Sequence, residues 1–360
     1  MFITFLFVVF LLVIFFSIHI KKLSLESESY DFLNKDFTTQ VRGIAIFIIM
    51  IGHLIGYIYL YPNFSIPYVH EQVIKFIMDR FILIAVGSFL FLSGYGNWLS
   101  IKKQENKNKW IVNKLVKLYI PVGILVFISY FLAYALNLQI LFPYWWTAFW
   151  NFFILSVVMW SYWYLKVQAM SYTFLFISVK HFKSYALLIL SIIFLFYFIV
   201  LAYIGVEYKW YISCLCFPFG AIVAEYKKSI SDKFKNKIMV LLDFFIISLL
   251  ILMSFIFRQN KIEFILIIIA MLILACLIMI KLSNIFDLKS KLLKFMGEYS
   301  LELYLLHLVL VPFVRNYGNV HNRVINIFSY FFVFILSLIF APILRYLSDK
   351  IINTLKGKIE

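Results

Sequence analysis

Long apolar runs recur along the whole chain, and this feature limits the possible folds more than any other. Hydrophobic residues make up 64% of the 360 residues, and charged residues make up only 14%. A soluble domain usually carries about 25% charged and about half apolar residues. Since runs of about 20 apolar residues can cross a bilayer as helices, the sequence predicts an all-α integral membrane protein. The alternating pattern of a membrane β-barrel is absent from the sequence.

Ten transmembrane helices are predicted, preceded by one extra N-terminal membrane helix. That extra helix covers residues 1–22. It is predicted to remain uncleaved, because its two lysines follow the apolar run, whereas in a cleavable signal peptide the positive residues precede it. A cytoplasmic linker at 23–41 leads into a transmembrane domain at 42–346, and 347–360 form a cytoplasmic tail. The ten spans are expected near 43–61, 81–101, 118–137, 160–180, 185–204, 210–226, 238–257, 262–281, 299–316 and 325–345.

The lysines and arginines orient these spans. With the linker placed inside the cell, 25 of the 33 basic residues fall on the inner side and 7 on the outer side. Short inner loops of membrane proteins carry such an excess, so a multi-pass protein of the cell membrane with a cytoplasmic C-terminus is expected. Because the net charge of +16 comes from these loops, nucleic acid is not an expected partner.

Two other sets of residues carry no specific chemistry on their own. The segment 142–159 holds three tryptophans and a proline on the predicted outer side, where indole rings favour the headgroup layer or stack on sugar rings. The three cysteines lie in apolar spans and form no metal-binding set, so no metal is expected. They are Cys214, Cys216 and Cys276.

The first predicted span of the domain places an arginine and a histidine on one helical face. Arg42 and His53 are eleven residues apart, about three turns, which separates them by roughly 16 Å along the axis. Arg42 would then lie at the membrane surface and His53 near the middle of the bilayer. A titratable ring at that depth is a candidate functional group, although a hydrogen bond to a neighbouring helix would also explain it.

Four further motifs follow in order along the chain. Together with Arg42 and His53 they resemble the membrane acyltransferase 3 family over about residues 36–345. They are Phe91-Leu92-Ser93-Gly94-Tyr95, the pair Lys114 and Lys117, Tyr162-Trp163-Tyr164-Leu165, and Gly297 to His307 with Ser300 and Tyr304 inside it.

Two positions depart from the family pattern. Lysines stand at 114 and 117, where the family usually has arginines, which keeps the charge but loses the bidentate phosphate contact. Many members carry a glutamate shortly after the third motif, whereas residues 166–169 here are Lys, Val, Gln and Ala. No carboxylate is therefore carried over to this chain.

The resemblance implies an O-acyltransferase, with O-acetyl transfer from acetyl-CoA as the expected reaction and a glycan or lipid-linked saccharide as acceptor. His53 would be the general base, since neutral imidazole accepts a proton near neutral pH and burial disfavours its charged form. Arg42, Lys114 and Lys117 would bind the phosphates or pantetheine arm of acyl-CoA, although the lysines also serve as topology determinants.

The remaining motif residues have two interpretations each. Ser93 and Gly94 would approach the donor or pack helices. Ser300, Tyr304 and His307 share one helical face and, with Trp163, are further candidates for the site or for packing.

Two rival functions predict different phenotypes. A polysaccharide exporter of the same family would be needed for surface polymer to appear at all, whereas an acyltransferase would be needed only for its ester groups. A non-catalytic scaffold would tolerate replacement of Arg42 and His53. The sequence specifies no oligomeric state.

Overall fold

The computed structural model describes residues 12–14, 17–20, 32–59, 68–135, 163–231, 237–257, 261–317 and 323–356. The aromatic segment 142–159 and most of the N-terminal helix expected at 1–22 lie outside the described residues. Within that expected helix, residues Ile18–Ile20 form a short strand, β1, instead of a last helical turn.

The described chain is almost entirely helical, as the apolar runs predict. After β1, the elements in order are α1 Lys35–Tyr59, α2 Tyr68–Lys103, α3 Lys107–Ala135, α4 Trp163–Phe182, α5 Ala186–Tyr203, α6 Cys216–Glu225, α7 Lys227–Ser231, α8 Lys237–Ile256, α9 Lys261–Ile285, β2 Phe286–Leu288, α10 Lys291–Glu298, α11 Ser300–Tyr317 and α12 Arg323–Lys356. Helix α1 thus begins inside the linker predicted at 23–41.

Six helical segments of the described chain are long and apolar enough to cross a membrane. They are Lys35–Leu54, Met78–Lys103, Lys107–Ala135, Trp163–Tyr203, Ile262–Ile285 and Phe331–Leu355. The all-α membrane class is therefore confirmed, while the number of about ten spans is not.

The difference has a geometric origin. The spans predicted at 160–180 and 185–204 form one segment, joined by a 3₁₀ turn at Lys183–Tyr185. The span predicted at 210–226 consists of 3₁₀ turns followed by the ten-residue helix α6. At 1.5 Å per residue α6 is about 15 Å long, half the thickness of a bilayer core. Helices α8 and α11, of 20 and 18 residues, occupy the spans predicted at 238–257 and 299–316.

Polar residues mark several helix ends. The side chains of Asn34, Asn106 and Ser290 each accept a hydrogen bond from the backbone N–H three residues later, at the starts of α1, α3 and α10. Helix α5 ends at Gly205, whose φ of 78° places it in the left-handed region. There the N–H of Val206 reaches the carbonyl of Leu201, which satisfies a terminal carbonyl of the helix.

The chain divides into two compact units. The first contains residues 1–49, 69–105 and 174–298, and the second contains residues 50–68, 106–173 and 299–360.

In the first unit a small sheet and a glutamine fix the start of α1. Strand β1 pairs antiparallel with β2, and Ile18 lies opposite Leu288. The amide of Gln40 donates to the carbonyl of Leu288 at 2.5 Å and accepts from the N–H of Ser290 at 2.8 Å. Gln40 is almost completely buried, and its amide satisfies backbone groups at the end of β2 that a further strand would otherwise bond.

The same unit contains a buried ion pair between two apolar helices. Nζ of Lys281 on α9 lies 2.5 Å from a carboxylate oxygen of Asp243 on α8, and both side chains are more than nine-tenths buried. Removal of one partner from a buried pair leaves an uncompensated charge, which typically costs about 3–5 kcal/mol. The pair therefore links α8 to α9 strongly.

The second unit is built on α3, α11 and α12, which pack against one another. Glu302 on α11 accepts hydrogen bonds from Nε of Arg345 on α12 at 2.5 Å and from the second terminal nitrogen at 2.8 Å. The guanidinium also lies over the ring of Tyr299, 5.6 Å from its centre. This two-point contact fixes the rotation of α11 against α12, and α11 is the helix that carries His307.

Candidate functional site

Two histidines from distant parts of the sequence meet in the second unit. Nδ1 of His53, near the end of α1, lies 3.0 Å from Nε2 of His307 on α11. Nδ1 of His307 lies 2.8 Å from the carbonyl oxygen of Leu303, one turn earlier on the same helix. His307 is fully buried, so its ring is held inside the protein. His53 is half-buried, so its ring is accessible at one side.

Two tyrosines lie next to His307 in this unit. The ring of Tyr304 contacts His307 edge to face, with centres 5.8 Å apart. Tyr164, on α4, packs against Tyr304 at 5.4 Å, and its hydroxyl donates to Oε1 of Gln168 at 3.1 Å. Gln168 is buried one turn after Tyr164. The histidine pair is therefore followed by two tyrosines and a buried glutamine.

Among the predicted candidates the structure brings three together, His53, His307 and Tyr304. Trp163 is the first residue of α4, and its ring centre lies 6.5 Å from that of Tyr164. Ser300 begins α11 and is half-buried. Tyr304 and His307 share one face of α11, as their spacing predicts.

Arg42 belongs to the first unit, although α1 carries both Arg42 and His53. Its Nε lies 3.4 Å from the carbonyl of Thr38, and a terminal nitrogen lies 3.2 Å from the hydroxyl of Thr39. The next residue is Gly43, where a Cβ would lie 2.0 Å from the carbonyl oxygen of Leu293. The glycine after Arg42 is therefore required for close packing of α1 against α10.

Gly297 has the matching role on the other side of this crossing. A Cβ at Gly297 would lie 1.7 Å from the carbonyl oxygen of Thr39 on α1. The first glycine of the fourth motif thus packs the helix that carries Arg42.

Ser93 and Gly94 also belong to the first unit, where the packing interpretation has direct support. The hydroxyl of Ser93 accepts from the amide of Asn97 at 2.9 Å. A Cβ at Gly94 would lie 1.9 Å from the carbonyl oxygen of Phe217 on α6. In return, a Cβ at Gly220 on α6 would lie 2.0 Å from the carbonyl oxygen of Phe91. The two glycines let α2 and α6 cross with their backbones in contact.

The two lysines of the basic pair have different surroundings. Lys114 is half-buried, and its Nζ lies 5.6 Å from the ring centre of Trp110 and 5.8 Å from that of Tyr172. Lys117, one turn further along α3, is exposed. Lys114 is thus held in one position by aromatic rings, whereas Lys117 extends into its surroundings.

A third lysine near the ends of the helices is already paired. In the first unit Lys102 lies 2.5 Å from a carboxylate oxygen of Glu225, which also accepts from the indole N–H of Trp98 at 2.7 Å. The hydrogen bond from Lys102 holds the pKa of Glu225 below its usual value, and the indole adds to the effect.

Sequence reasoning missed the groups that support the site. The sequence motifs include neither Gln168 nor Arg345, and they give no role to Glu302. A weak signal existed for each, because a polar residue inside an apolar run usually has a partner. The identity of that partner is not visible in the sequence.

Long apolar helices, and a half-buried histidine hydrogen-bonded to a fully buried one, define a multi-pass helical membrane protein with a general-base candidate inside its helices. A protein-family comparison then specifies the class: the model described as an acyltransferase domain matches residues 36–346. The chain therefore belongs to the acyltransferase 3 family, as the motifs indicated. Searches of curated proteins and of solved structures found no significant match.

Proposed function

We propose that this membrane acyltransferase is an O-acyltransferase, with acetyl as the first acyl group to test. In this proposal it moves the group from cytoplasmic acyl-CoA to a hydroxyl of a cell-envelope or exported polysaccharide, or of its lipid-linked precursor. The observation that carries the proposal is the histidine pair: a half-buried imidazole, His53, hydrogen-bonded to a fully buried one, His307.

The proposed reaction needs one group that accepts a proton. As the acceptor hydroxyl attacks the thioester carbonyl, its proton passes to His53, and the carbon–oxygen bond forms. Collapse of the intermediate breaks the carbon–sulfur bond, and the same proton then goes to the departing thiolate. The products are an oxygen ester and free thiol, so no metal or redox group is required.

Binding of the donor is assigned to cations predicted to face the cytoplasm. Lys114 is the best-positioned of these in the second unit, because Trp110 and Tyr172 restrict its movement. Lys117 is exposed and would add long-range attraction for phosphates. Arg42 is assigned the same role from its family position, and its contacts with Thr38 and Thr39 hold its guanidinium beside α1.

The test measures ester groups and polymer amount separately in cells that lack the gene. Cells are complemented with the wild-type chain, with His53→Ala, or with His181→Ala, whose exposed side chain at the end of α4 makes it a matched control. We expect wild type and His181→Ala to restore O-acyl groups, and His53→Ala to leave the polymer unesterified at normal amount. Membrane insertion of each variant is checked by its level in the membrane fraction.

Two outcomes would overturn the proposal. Normal esterification by a correctly inserted His53→Ala variant would remove the base assignment. Loss of the surface polymer itself in cells lacking the gene would favour export over acyl transfer.

A further inference from the structure

The hydrogen bonds around the two histidines determine which ring nitrogen carries each proton. The carbonyl of Leu303 can only accept, so Nδ1 of His307, 2.8 Å away, carries a hydrogen and donates it. In a neutral imidazole the other nitrogen then has a lone pair, so Nε2 of His307 is an acceptor. Its partner at 3.0 Å, Nδ1 of His53, must therefore be the donor.

The relative placement of the rings agrees with this hydrogen bond. The ring planes are 18° apart, and the ring centres are 5.3 Å apart. That distance is 2.3 Å longer than the 3.0 Å between the two nitrogens, roughly the sum of two ring radii, so both nitrogens lie near the line between the centres. The rings meet edge to edge in nearly one plane, where the lone pair of a ring nitrogen points.

The opposite arrangement requires a buried cation. If Nε2 of His307 were the donor, His307 would carry two hydrogens and a positive charge. His307 is fully buried, and within the described residues its hydrogen-bond partners are a carbonyl and a second imidazole, with no carboxylate. A buried charge without a counter-charge is strongly unfavourable, so the neutral arrangement holds.

We propose that His307 is a positioning residue that keeps His53 in the Nδ1–H tautomer, so that Nε2 of His53 is the nitrogen that receives the acceptor's proton. This inference rests on the proposed function, because it specifies how His53 acts there. In the transfer, the O–H bond of the acceptor breaks and an N–H bond forms at Nε2. Nδ1 keeps its hydrogen bond to His307 throughout, and the proton at Nε2 leaves again with the thiolate.

The first measurement needs no substitution at the pair. The protein is labelled with ¹⁵N-histidine in detergent micelles, and the ¹⁵N shifts of His53 are assigned by loss of its signals in His53→Ala. We expect protonated Nδ1 and unprotonated Nε2 for His53, and the same pattern for His307. Protonated Nε2 on His53 in the wild-type protein would overturn the proposal.

The second measurement compares two substitutions of His307. His307→Gln supplies an amide oxygen that can accept from His53 and an amide N–H that can donate to Leu303, whereas His307→Phe keeps a ring without either function. Transfer from radiolabelled acetyl-CoA into polymer is followed in membrane vesicles. For His307→Phe we expect kcat to fall by about 100-fold or more with KM for acetyl-CoA within about twofold of wild type, the scale of a misplaced base. His307→Gln should recover at least about tenfold of that loss.

The outcomes separate this inference from the proposed function. If His53→Ala retains full transfer activity, the base assignment fails while the tautomer result stands as a structural fact. If His53→Ala is inactive and both His307 variants keep full activity, the positioning role is wrong. Equal losses in the Phe and Gln variants would also contradict it, because only Gln can accept a hydrogen bond from His53. Gel filtration checks that both variants are folded.

Discussion

The crossing of α2 and α6 offers a sharp test of how Gly94 functions. Gly94→Ala would place a Cβ 1.9 Å from the carbonyl oxygen of Phe217, and real Cβ contacts are not shorter than 3.0 Å. The two backbones must therefore separate by about 1.1 Å at this point, the difference between those distances. The backbones are equally close at Gly220 in the same crossing, where a Cβ would lie 2.0 Å from the carbonyl oxygen of Phe91.

The expected magnitude follows from a matched control two residues away. At Gly96, in the same helix, a Cβ would meet no atom within 4 Å. Gly96→Ala should therefore show only the helix-propensity gain of up to about 1 kcal/mol. Gly94→Ala has the same gain but adds the steric cost of overpacking, typically about 1–3 kcal/mol and occasionally more. The difference between the two variants isolates the steric contribution.

The assay is thermal unfolding in detergent, followed by the fluorescence of the eight tryptophans. We expect the midpoint of Gly96→Ala to equal or exceed that of wild type and the midpoint of Gly94→Ala to fall below both. Equal midpoints for the two variants would refute the packing argument. A normal midpoint for Gly94→Ala with a raised KM for acetyl-CoA would instead support the donor-binding role implied by the family.

Three further predictions concern charged side chains. Asp243→Asn should destabilise the protein by about 3–5 kcal/mol, because it leaves Lys281 without its carboxylate. In the same unfolding assay, the double variant Asp243→Leu with Lys281→Met should recover most of that loss. A double variant as unstable as the single one would contradict the ion-pair explanation. Because the folded pKa of Glu225 lies below the usual 4.5, its stabilisation should be complete above pH 4.5 and lost as the pH falls through the folded value. Glu225→Gln should therefore lower stability by under about 1 kcal/mol at pH 7 and have no effect well below pH 4, and a larger effect at low pH would contradict this. Lys114→Met should raise KM for acetyl-CoA by about tenfold, because aromatic rings hold Lys114 in place. Lys117→Met should raise KM only weakly and mainly at low salt. Equal increases in KM for the two variants would argue against a fixed contact at Lys114.

Helix positions were predictable from the sequence because apolar length alone determines them. The span predicted at 210–226, which is not confirmed, shows the limit of that reasoning. Tyr211 and Phe217 in this region are fully buried inside the protein. A helix surrounded by other helices is apolar on all sides, just as a membrane span is, so hydropathy does not distinguish the two. Only the observed ten-residue length of α6 does so.

The candidate site was predictable in its members but not in its contacts. His53 followed from its spacing to Arg42, and Tyr304 and His307 from a motif on one face of α11. The contact between His53 and His307 joins residues 254 positions apart, and helix periodicity carries no information across such a distance. Similarly, the sequence does not identify Arg345 as the partner of Glu302, because that contact depends on how α12 packs against α11.

The absence of the glutamate that many family members carry gives this arrangement a physical rationale. A carboxylate in the place of His307 would be fully buried, at a cost of several kcal/mol for an unpaired ion. His307 supplies an acceptor for Nδ1 of His53 without any formal charge, and the carbonyl of Leu303 holds it in the tautomer that can accept. The acidic residue of α11 lies five residues earlier, at Glu302, where Arg345 neutralises it and fixes the rotation of the helix. Helix α11 thus separates two tasks that one glutamate could not perform together: an ion pair that fixes the helix, and a neutral acceptor that orients the base.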